Sequence, residues 1–236
     1  PADEPKAKKN EEKSDAKKDD APAEPAKASP RESAEPQKPK SGKPAHHVAG
    51  GFRNLHVEDP DRNFFDFLAM RLFGDTEWAD HEGRASEVPV RDLDLERVRR
   101  PERSVRISWL GHSTFLLQGK NVNILTDPAF GARVSPVSFA GPQRYTRHVV
   151  DYDQLPRIDI VVISHNHFDH LDIAAVKLLG NRPRYLVPLG LKSWFVEHGV
   201  APERVREMDW WDKATVGGMQ FQAMPSQHWS AASQVR

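Results

Sequence analysis

Hydrophobic and polar residues follow different patterns in different parts of this 236-residue chain. Between residues 104 and 127, short apolar or alternating runs are separated by Gly and Lys-Asn turn signals. This spacing predicts three consecutive strands, in "VRISWLG", "TFLLQ" and "VNILTD". Residues 157–164, "RIDIVVIS", form a continuous apolar run with β-branched side chains. That run predicts a strand that is buried on both faces.

Strand and helix patterns alternate after this run. "DIAAVKLLG" predicts a helix that Asp172 caps and Gly180 ends, and "GLKSWFVEHG" predicts another helix. "RYLVPLG" predicts a strand, and "RVREMDWWD" predicts a strand and a turn. "TVGGMQFQAMPSQHW" predicts a hairpin whose second strand ends at His228. Adjacent strands followed by alternating strands and helices predict an α/β fold built in layers.

The region before the strands is less regular. Within "DPDRNFFDFLAMRLFG", residues 63–73 predict a Phe-rich helix that ends at Gly74. Its apolar residues cover more than one face, which favours a core helix. Peripheral contact with a membrane is the alternative, and no apolar run reaches the roughly 18 residues of a transmembrane helix. Residues 75–103 are polar and charged and predict an irregular segment.

Residues 1–45 contain no Val, Ile, Leu, Met, Phe, Trp or Tyr. Such a segment has no apolar surface to offset the entropy of ordering, so we predict a disordered tail before a domain at residues 46–236. The tail has eleven basic and ten acidic residues, and the whole chain has 34 of each, so neither part is cationic. This balance argues against a nucleic-acid partner. The absence of cysteine excludes thiolate metal ligands and a cysteine nucleophile.

The stretch "ISHNHFDHLD", residues 163–172, holds three histidines and two aspartates directly after the predicted buried strand. Residues two apart in an extended segment point the same way, so His165 and His167 are predicted to face one point. Asp169 and His170 are predicted to face a neighbouring point. Imidazole nitrogen and carboxylate oxygen are ligands of zinc and similar metals. The stretch therefore predicts two adjacent metal ions.

The first ion needs a further ligand, because His165 and His167 supply only two of the usual four. His228, in "PSQHWS", is the best candidate. A loop with merely solvated histidines is the alternative, which three histidines at this spacing disfavour. Six other histidines are predicted to be exposed, namely His46, His47, His56, His81, His148 and His198.

Four further positions leave alternatives open. His112 in "GHSTF" either reaches the metal pocket or hydrogen-bonds a backbone carbonyl. Arg144 in "GPQRY" either holds a phosphate oxygen, because guanidinium matches that geometry, or is a surface arginine. Trp210 and Trp211 are predicted to anchor a core or an interface rather than to contact substrate.

Several stretches give the chain a resemblance to a known family. "SHNHFDHLD" resembles the H-x-H-x-D-H signature of the metallo-β-lactamase superfamily. More narrowly, the chain is similar to the N-acyl-phosphatidylethanolamine phospholipase D branch, in "HHVAGGFRN", "WLGHSTFLLQ", "ILTDPAFGARVSPVSFAGPQRY", "VPLGLKSWF", "MDWWD" and "PSQHWS". The resemblance runs from about His46 to the C-terminus.

The resemblance implies an αββα sandwich that binds two zinc ions or other divalent metals. It implies that His165, His167 and His228 hold the first metal. Asp169 and His170 would hold the second, with Asp169 also orienting the nucleophile.

Asp127, in "LTDP", corresponds to the aspartate that supports the metal loop in this superfamily. A simple Asp-Pro turn is the alternative. Members carry a bridging aspartate and another histidine beyond the His228 position, whereas this chain ends at Arg236. The resemblance therefore implies a sandwich and a second metal site that are incomplete at the C-terminus.

The resemblance also implies a zinc-dependent phosphodiesterase of the phospholipase D type. Its substrate would be N-acyl phosphatidylethanolamine or a similar phospholipid. A metal-dependent lactonase or carbon-ester hydrolase is one alternative, and a metal-binding fragment without activity is another.

Overall fold

The computed structural model describes residues 42–56, 69, 73–74, 88–100, 104–135, 139 and 141–228. The predicted tail lies outside these ranges apart from residues 42–45, and the Phe-rich helix lies outside them apart from Ala69 and Phe73. Both therefore stay predictions. In the described part of the chain, no helix has the length and apolarity that crossing a bilayer requires.

A six-stranded mixed sheet forms the centre of the fold. A short N-terminal hairpin precedes it, made of β1 (His47–Val48) and β2 (Gly51–Phe52). The sheet strands are β3 (Arg106–Gly111), β4 (Thr114–Gly119), β5 (Val122–Thr126), β6 (Ile160–Val162), β7 (Arg184–Pro188) and β8 (Val205–Met208). Their order across the sheet is their order along the chain. A second hairpin follows, made of β9 (Lys213–Val216) and β10 (Met219–Gln222). Each predicted strand is thus present, although the last one ends earlier than predicted.

Pairing in the sheet changes from antiparallel to parallel at β5. The strands β3, β4 and β5 pair antiparallel, whereas β5 to β8 pair parallel. The helices whose full bounds lie within the described residues are α1 (Leu95–Arg99), α2 (Ile173–Leu179) and α3 (Lys192–Glu197). Parallel neighbours need crossover connections, which α2 supplies between β6 and β7 and α3 between β7 and β8.

Helix α1 shows that the prediction of an irregular segment over residues 75–103 is wrong in part. The side chain of Asp94 accepts a hydrogen bond from Arg97 N at 2.9 Å, which caps the helix. Val98 is 3% exposed and packs in the core. A helix of five residues is too short to produce a clear apolar period, so tertiary packing stabilises it.

Helix α2 begins and ends where the sequence predicts. Asp172 Oδ1 accepts a hydrogen bond from Ala174 N at 2.8 Å. Gly180, with φ 55°, ends the helix. Asp172 Oδ2 also accepts hydrogen bonds from the backbone N–H groups of Phe130 and Gly131, both at 2.6 Å. The cap therefore joins α2 to the loop after β5.

Neighbouring side chains of the sheet strands pack on opposite faces. In β6, Val161 lies in the core cluster that includes α2 and α3, whereas Ile160 lies in the cluster that includes the β9–β10 hairpin. Neither is more than 1% exposed, which confirms a strand buried on both faces. Helices cover one face and the hairpin covers the other, so the α/β class and its layering are confirmed.

The last strand is shorter than predicted. β10 ends at Gln222, and residues 223–228 are irregular, so the prediction that this strand runs to His228 is wrong. Pro225 has no backbone N–H to add to a ladder, which disfavours continuation of the strand. His228 therefore sits on an irregular segment.

Candidate metal centre

The loop at residues 164–172, called the metal loop below, follows β6 at the carboxyl edge of the parallel strands. Ligands bind at this edge in open α/β sheets. His167 O accepts hydrogen bonds from His170 N at 3.0 Å and from Leu171 N at 2.7 Å. Leu171 is 1% exposed and holds this turn in the core. The turn brings the rings of His165 and His170 together, with centroids 4.1 Å apart.

The structure brings His165, His167 and His228 together. The three pairs of ring centroids lie 4.5, 4.6 and 4.7 Å apart. One nitrogen from each ring lies within 4.8 Å of the others, as a shared metal ion requires. Nε2 of His228 lies 3.3 Å from Nδ1 of His167, although 61 positions separate them. The sequence predicts this convergence, and the ligand roles stay predictions.

His112, Asp169 and His170 form a second group beside the first. His112 Nε2 lies 2.9 Å from Asp169 Oδ2 and 3.4 Å from His170 Nε2. The structure thus brings His112 beside Asp169 and His170, and a role of His112 in the metal site stays a prediction. Its φ of 47° follows a register shift in the β3–β4 pairing between Trp109 and Gly111. The register shift lies directly before His112, whose ring lies beside Asp169 and His170.

Asp127 supports the metal loop from the end of β5. It is 7% exposed and has an unfavourable φ of 36°. Its Oδ1 accepts a hydrogen bond from Ser164 N at 2.7 Å, and its Oδ2 accepts from Ser164 Oγ at 2.8 Å. Oδ2 also accepts from His170 Nδ1 at 3.0 Å, which leaves His170 Nε2 facing Asp169. These contacts go beyond an Asp-Pro turn.

The surroundings shift the pKa values of His165 and His170 in opposite directions. Burial and then the three neighbouring histidine rings lower the pKa of His165 to about 4. Burial also disfavours a charge on His170, but the hydrogen bond to Asp127 and the charges of Asp127 and Asp169 raise its pKa. At neutral pH His165 is therefore a neutral imidazole whose lone pair is available to a metal.

The donor set fits divalent cations of the zinc type. His165 Nε2 is buried and has no hydrogen-bond partner in the described part of the chain. Its Nδ1 lies 2.8 Å from Ser164 Oγ. A buried polar atom without a partner is unfavourable, and a metal ion would satisfy it. Imidazole nitrogens combined with a carboxylate are ligands of such a metal.

His46 and His47 form a third group with Asp209, which the sequence interpretation missed. The prediction that both histidines are exposed is wrong, since His46 is 6% exposed and His47 is half-buried. His46 Nε2 donates to Asp209 Oδ1 at 2.7 Å, and His47 Nε2 donates to Asp209 Oδ2 at 2.9 Å. Trp210 stacks on His46 with centroids 3.9 Å apart, as an anchor. No local spacing could predict this contact, because 163 positions separate His46 from Asp209. Only the family resemblance of the stretches "HHVAGGFRN" and "MDWWD" drew attention to these residues.

Asp209 is ionised in this group. Burial alone would raise the pKa of Asp209, but the hydrogen bonds from His46, from the Trp210 backbone N–H and from His47 lower it. The carboxylate therefore accepts three N–H donors at once.

Two other histidines that were predicted to be exposed are half-buried. His148 Nδ1 lies 2.9 Å from the Tyr152 hydroxyl. His198 Nδ1 donates to Trp194 O at 2.7 Å and its ring stacks on Trp194. Both fill structural positions beside aromatic residues. His56 is exposed as predicted, and His81 lies outside the described residues.

Arg144 lies beside the second group and holds the backbone. Its Nη2 donates to Ala129 O at 2.5 Å. A Cβ added at Gly111 would lie 3.3 Å from Nη1 of Arg144, which places the guanidinium next to the residue before His112. Arg144 is half-buried, so it is not a simple surface arginine. Contact with a phosphate stays a prediction.

The chain is similar in sequence to known proteins. The Beta-lactamase superfamily domain matches residues 122–236. An uncharacterized protein of Mycobacterium tuberculosis is 37% identical over 184 residues, which are 77% of this chain and 49% of that protein. N-acyl-phosphatidylethanolamine-hydrolyzing phospholipase D 1 of Caenorhabditis elegans is 37% identical over 131 residues, which are 53% of this chain and 36% of that protein. The chain thus spans about half the length of the first of these relatives and about a third of the second.

Among solved structures, the metallo hydrolase Igni18 of Ignicoccus hospitalis is similar over 56% of this chain and 52% of that chain, with 21% identity and a TM-score of 0.41. The domain match and the sequence relatives lead to one conclusion. This chain belongs to the metallo-β-lactamase superfamily, and its relatives include N-acyl-phosphatidylethanolamine-hydrolyzing phospholipases D.

Proposed function

We propose that this chain carries the metal centre of a metal-dependent hydrolase whose substrate is N-acyl phosphatidylethanolamine or a similar phosphodiester. The convergence of two ligand groups on one loop is the observation that carries the proposal. These groups are His165, His167 and His228, and His112, Asp169 and His170. The activity in the name of the Caenorhabditis elegans relative supports the substrate class.

The two groups would hold different ions. His165, His167 and His228 would hold one divalent ion, and Asp169 and His170 a second. Such ions, when bound, polarise a phosphoryl oxygen and lower the pKa of water toward neutrality. His165 suits the role of a metal ligand because its lowered pKa keeps the ring neutral at neutral pH.

The protein's own side chains position the reacting groups. Asp127 accepts from His170 Nδ1 and so sets the direction of His170 Nε2. His112 Nε2 lies 2.9 Å from Asp169 Oδ2, so this imidazole helps to hold the carboxylate in place. A carboxylate held there can orient a water molecule and accept its proton.

An apolar surface beside the second group supports a lipid substrate. Ile107 and Trp109 in β3 are 64% and 60% exposed, and Val105 just before β3 is 76% exposed. Because these three residues alternate along the chain, they share one face of the edge strand. The indole Nε1 of Trp109 donates to His112 O at 2.8 Å, which joins this face to the pocket. Exposed apolar surface of this kind often marks a binding site for a lipid or another apolar partner.

The test is hydrolysis by the chain after zinc loading. Vesicles containing N-acyl phosphatidylethanolamine are expected to release N-acylethanolamine and phosphatidate, and simple lactones are expected to remain intact. His167→Ala is expected to lose zinc and turnover together, whereas the exposed His56→Ala serves as the matched control. Hydrolysis of lactones alone would overturn the substrate class. Zinc binding without hydrolysis of either substrate would overturn catalysis by this chain.

A further inference from the structure

The N-terminal hairpin is fastened to the carboxyl edge of the sheet through one carboxylate. Asp209 directly follows β8 and accepts hydrogen bonds from His46 and His47. Its Oδ1 also accepts from Trp210 N at 2.8 Å. Three N–H donors occupy the two carboxylate oxygens, so this group is a clamp between distant segments. A metal ion is not needed to hold it together.

The fold of the hairpin carries Asn54 to His228. Arg53 N donates to His46 O at 2.9 Å, and Arg53 Nε donates to Ala45 O at 3.0 Å. The end of the hairpin therefore lies beside the residues that precede β1. The next residue, Asn54, then contacts the backbone of His228 twice. Its Nδ2 donates to His228 O at 3.3 Å, and its Oδ1 accepts from His228 N at 3.2 Å. The carboxamide of Asn54 thus binds both the backbone N–H and the backbone C=O of His228.

The same clamp also reaches the start of the segment that carries His228. Trp211 N donates to Ala223 O at 2.7 Å, and Ala223 N donates to Asp212 O at 3.0 Å. Residues 223–228 are therefore held at one end by the turn after β8 and at the other end by Asn54. Fixing an irregular segment costs conformational entropy, which these contacts offset before any ligand binds.

We propose that Asn54 is a positioning residue for His228, and that the hairpin and Asp209 together form a strap that completes the His165–His167–His228 group. The inference deepens the proposed function, because it assigns His228 the ligand role given there. Partners that orient a metal ligand typically contribute about 10-fold to 100-fold in metal affinity. Asn54 acts on the backbone of His228 and not on its ring, so we expect the lower end of that range.

Zinc affinity of the full chain, measured by competition with a chromophoric chelator, tests the strap. Asn54→Ala is expected to weaken zinc binding about 10-fold, and Asn54→Asp is expected to recover part of the loss because it keeps the acceptor for His228 N. Asp209→Asn is expected to weaken binding as well. The double variant is expected to bind zinc almost as well as whichever single variant has the lower affinity, because both changes release the same segment. His56→Ala, in the same N-terminal region and exposed, is the matched control.

Hydrogen exchange of the backbone over residues 223–228, measured without metal, supplies a second readout. Faster exchange in Asn54→Ala together with weaker zinc binding supports the strap. Unchanged zinc affinity in Asn54→Ala, with wild-type protein binding zinc, would overturn this inference alone. Failure of the wild-type chain to bind zinc would overturn the proposed function and the positioning role with it. Loss of a full equivalent of zinc in Asp209→Asn would make the clamp a metal site and would contradict the strap.

Discussion

The metal loop and the N-terminal hairpin both place histidines at the carboxyl edge of the sheet, but their partners lie at very different separations. In the loop, His165 and His170 meet within one tight turn. In the hairpin, His46 meets Asp209 across 163 positions, and Asn54 meets His228 across 174. Local spacing thus brings together the predicted ligands of the loop, whereas the hairpin residues that support the site contact segments far away in the chain.

The largest expected effect comes from removing a ligand of the loop. His167→Ala is expected to weaken zinc binding by more than about 100-fold, because a lost ligand costs more than a lost supporting partner. Equilibrium dialysis with metal analysis measures this. No single change in the hairpin is expected to weaken zinc binding as much. An Asn54→Ala effect of equal size would remove the distinction between the two regions.

The second largest effect is expected from Asp127, which accepts hydrogen bonds from residues of the metal loop. Asp127→Asn is expected to weaken zinc binding by about 10-fold to 100-fold. It is also expected to lower the pKa of His170, because the hydrogen bond and charge of Asp127 raise that pKa. Titration of the imidazole signals by NMR in the metal-free chain measures the second change. An unaltered His170 pKa would show that Asp127 does not set the state of this ring.

A smaller effect is expected from the hairpin. His46→Ala removes a buried hydrogen bond to Asp209 and the stacking contact with Trp210. The free energy of unfolding is expected to fall by about 1–3 kcal/mol. Urea denaturation followed by circular dichroism measures the change. Exposed His56→Ala is expected to stay within about 0.5 kcal/mol of wild type, and an equally large loss there would mean that the assay reports something other than the clamp.

The smallest effect is a pH dependence that separates the two regions. The pKa of His165 falls from 6.5 to about 4 in the folded, metal-free chain. Between these values the unfolded state binds the proton and the folded state does not, so the stability contributed by His165 is complete above pH 6.5 and is lost as the pH falls toward 4. The loss is expected to be on the order of 1 kcal/mol, since solvent screens this half-buried ring. His165→Asn is expected to flatten this part of the profile, measured as urea stability between pH 7 and pH 4.5, about the window over which the shift acts. A variant with an unchanged slope would assign the pH dependence to other groups.

Much of the fold could be predicted because strands and capped helices leave local patterns. The buried run at β6 and the Asp172 cap of α2 follow from neighbouring residues, and the structure confirms both. Helix α1 escaped prediction because one buried valine does not make a period. The end of β10 was misplaced because alternation continues past the residue where pairing stops. The local sequence pattern indicates the propensity to form a strand, whereas the length of a strand also depends on the neighbouring strand that it pairs with.

The sequence by itself determined which potential metal-binding side chains cluster at residues 164–172, because adjacent residues in a turn cannot move far apart. It also pointed to His228 through the chemistry of the ligand set. Only the tertiary structure decided that Asp127 orients His170, that His112 faces Asp169, and that His46 and Asn54 belong to the same edge. These contacts join segments that are far apart in the chain, and their closeness depends on the packing of the whole sheet rather than on any local spacing.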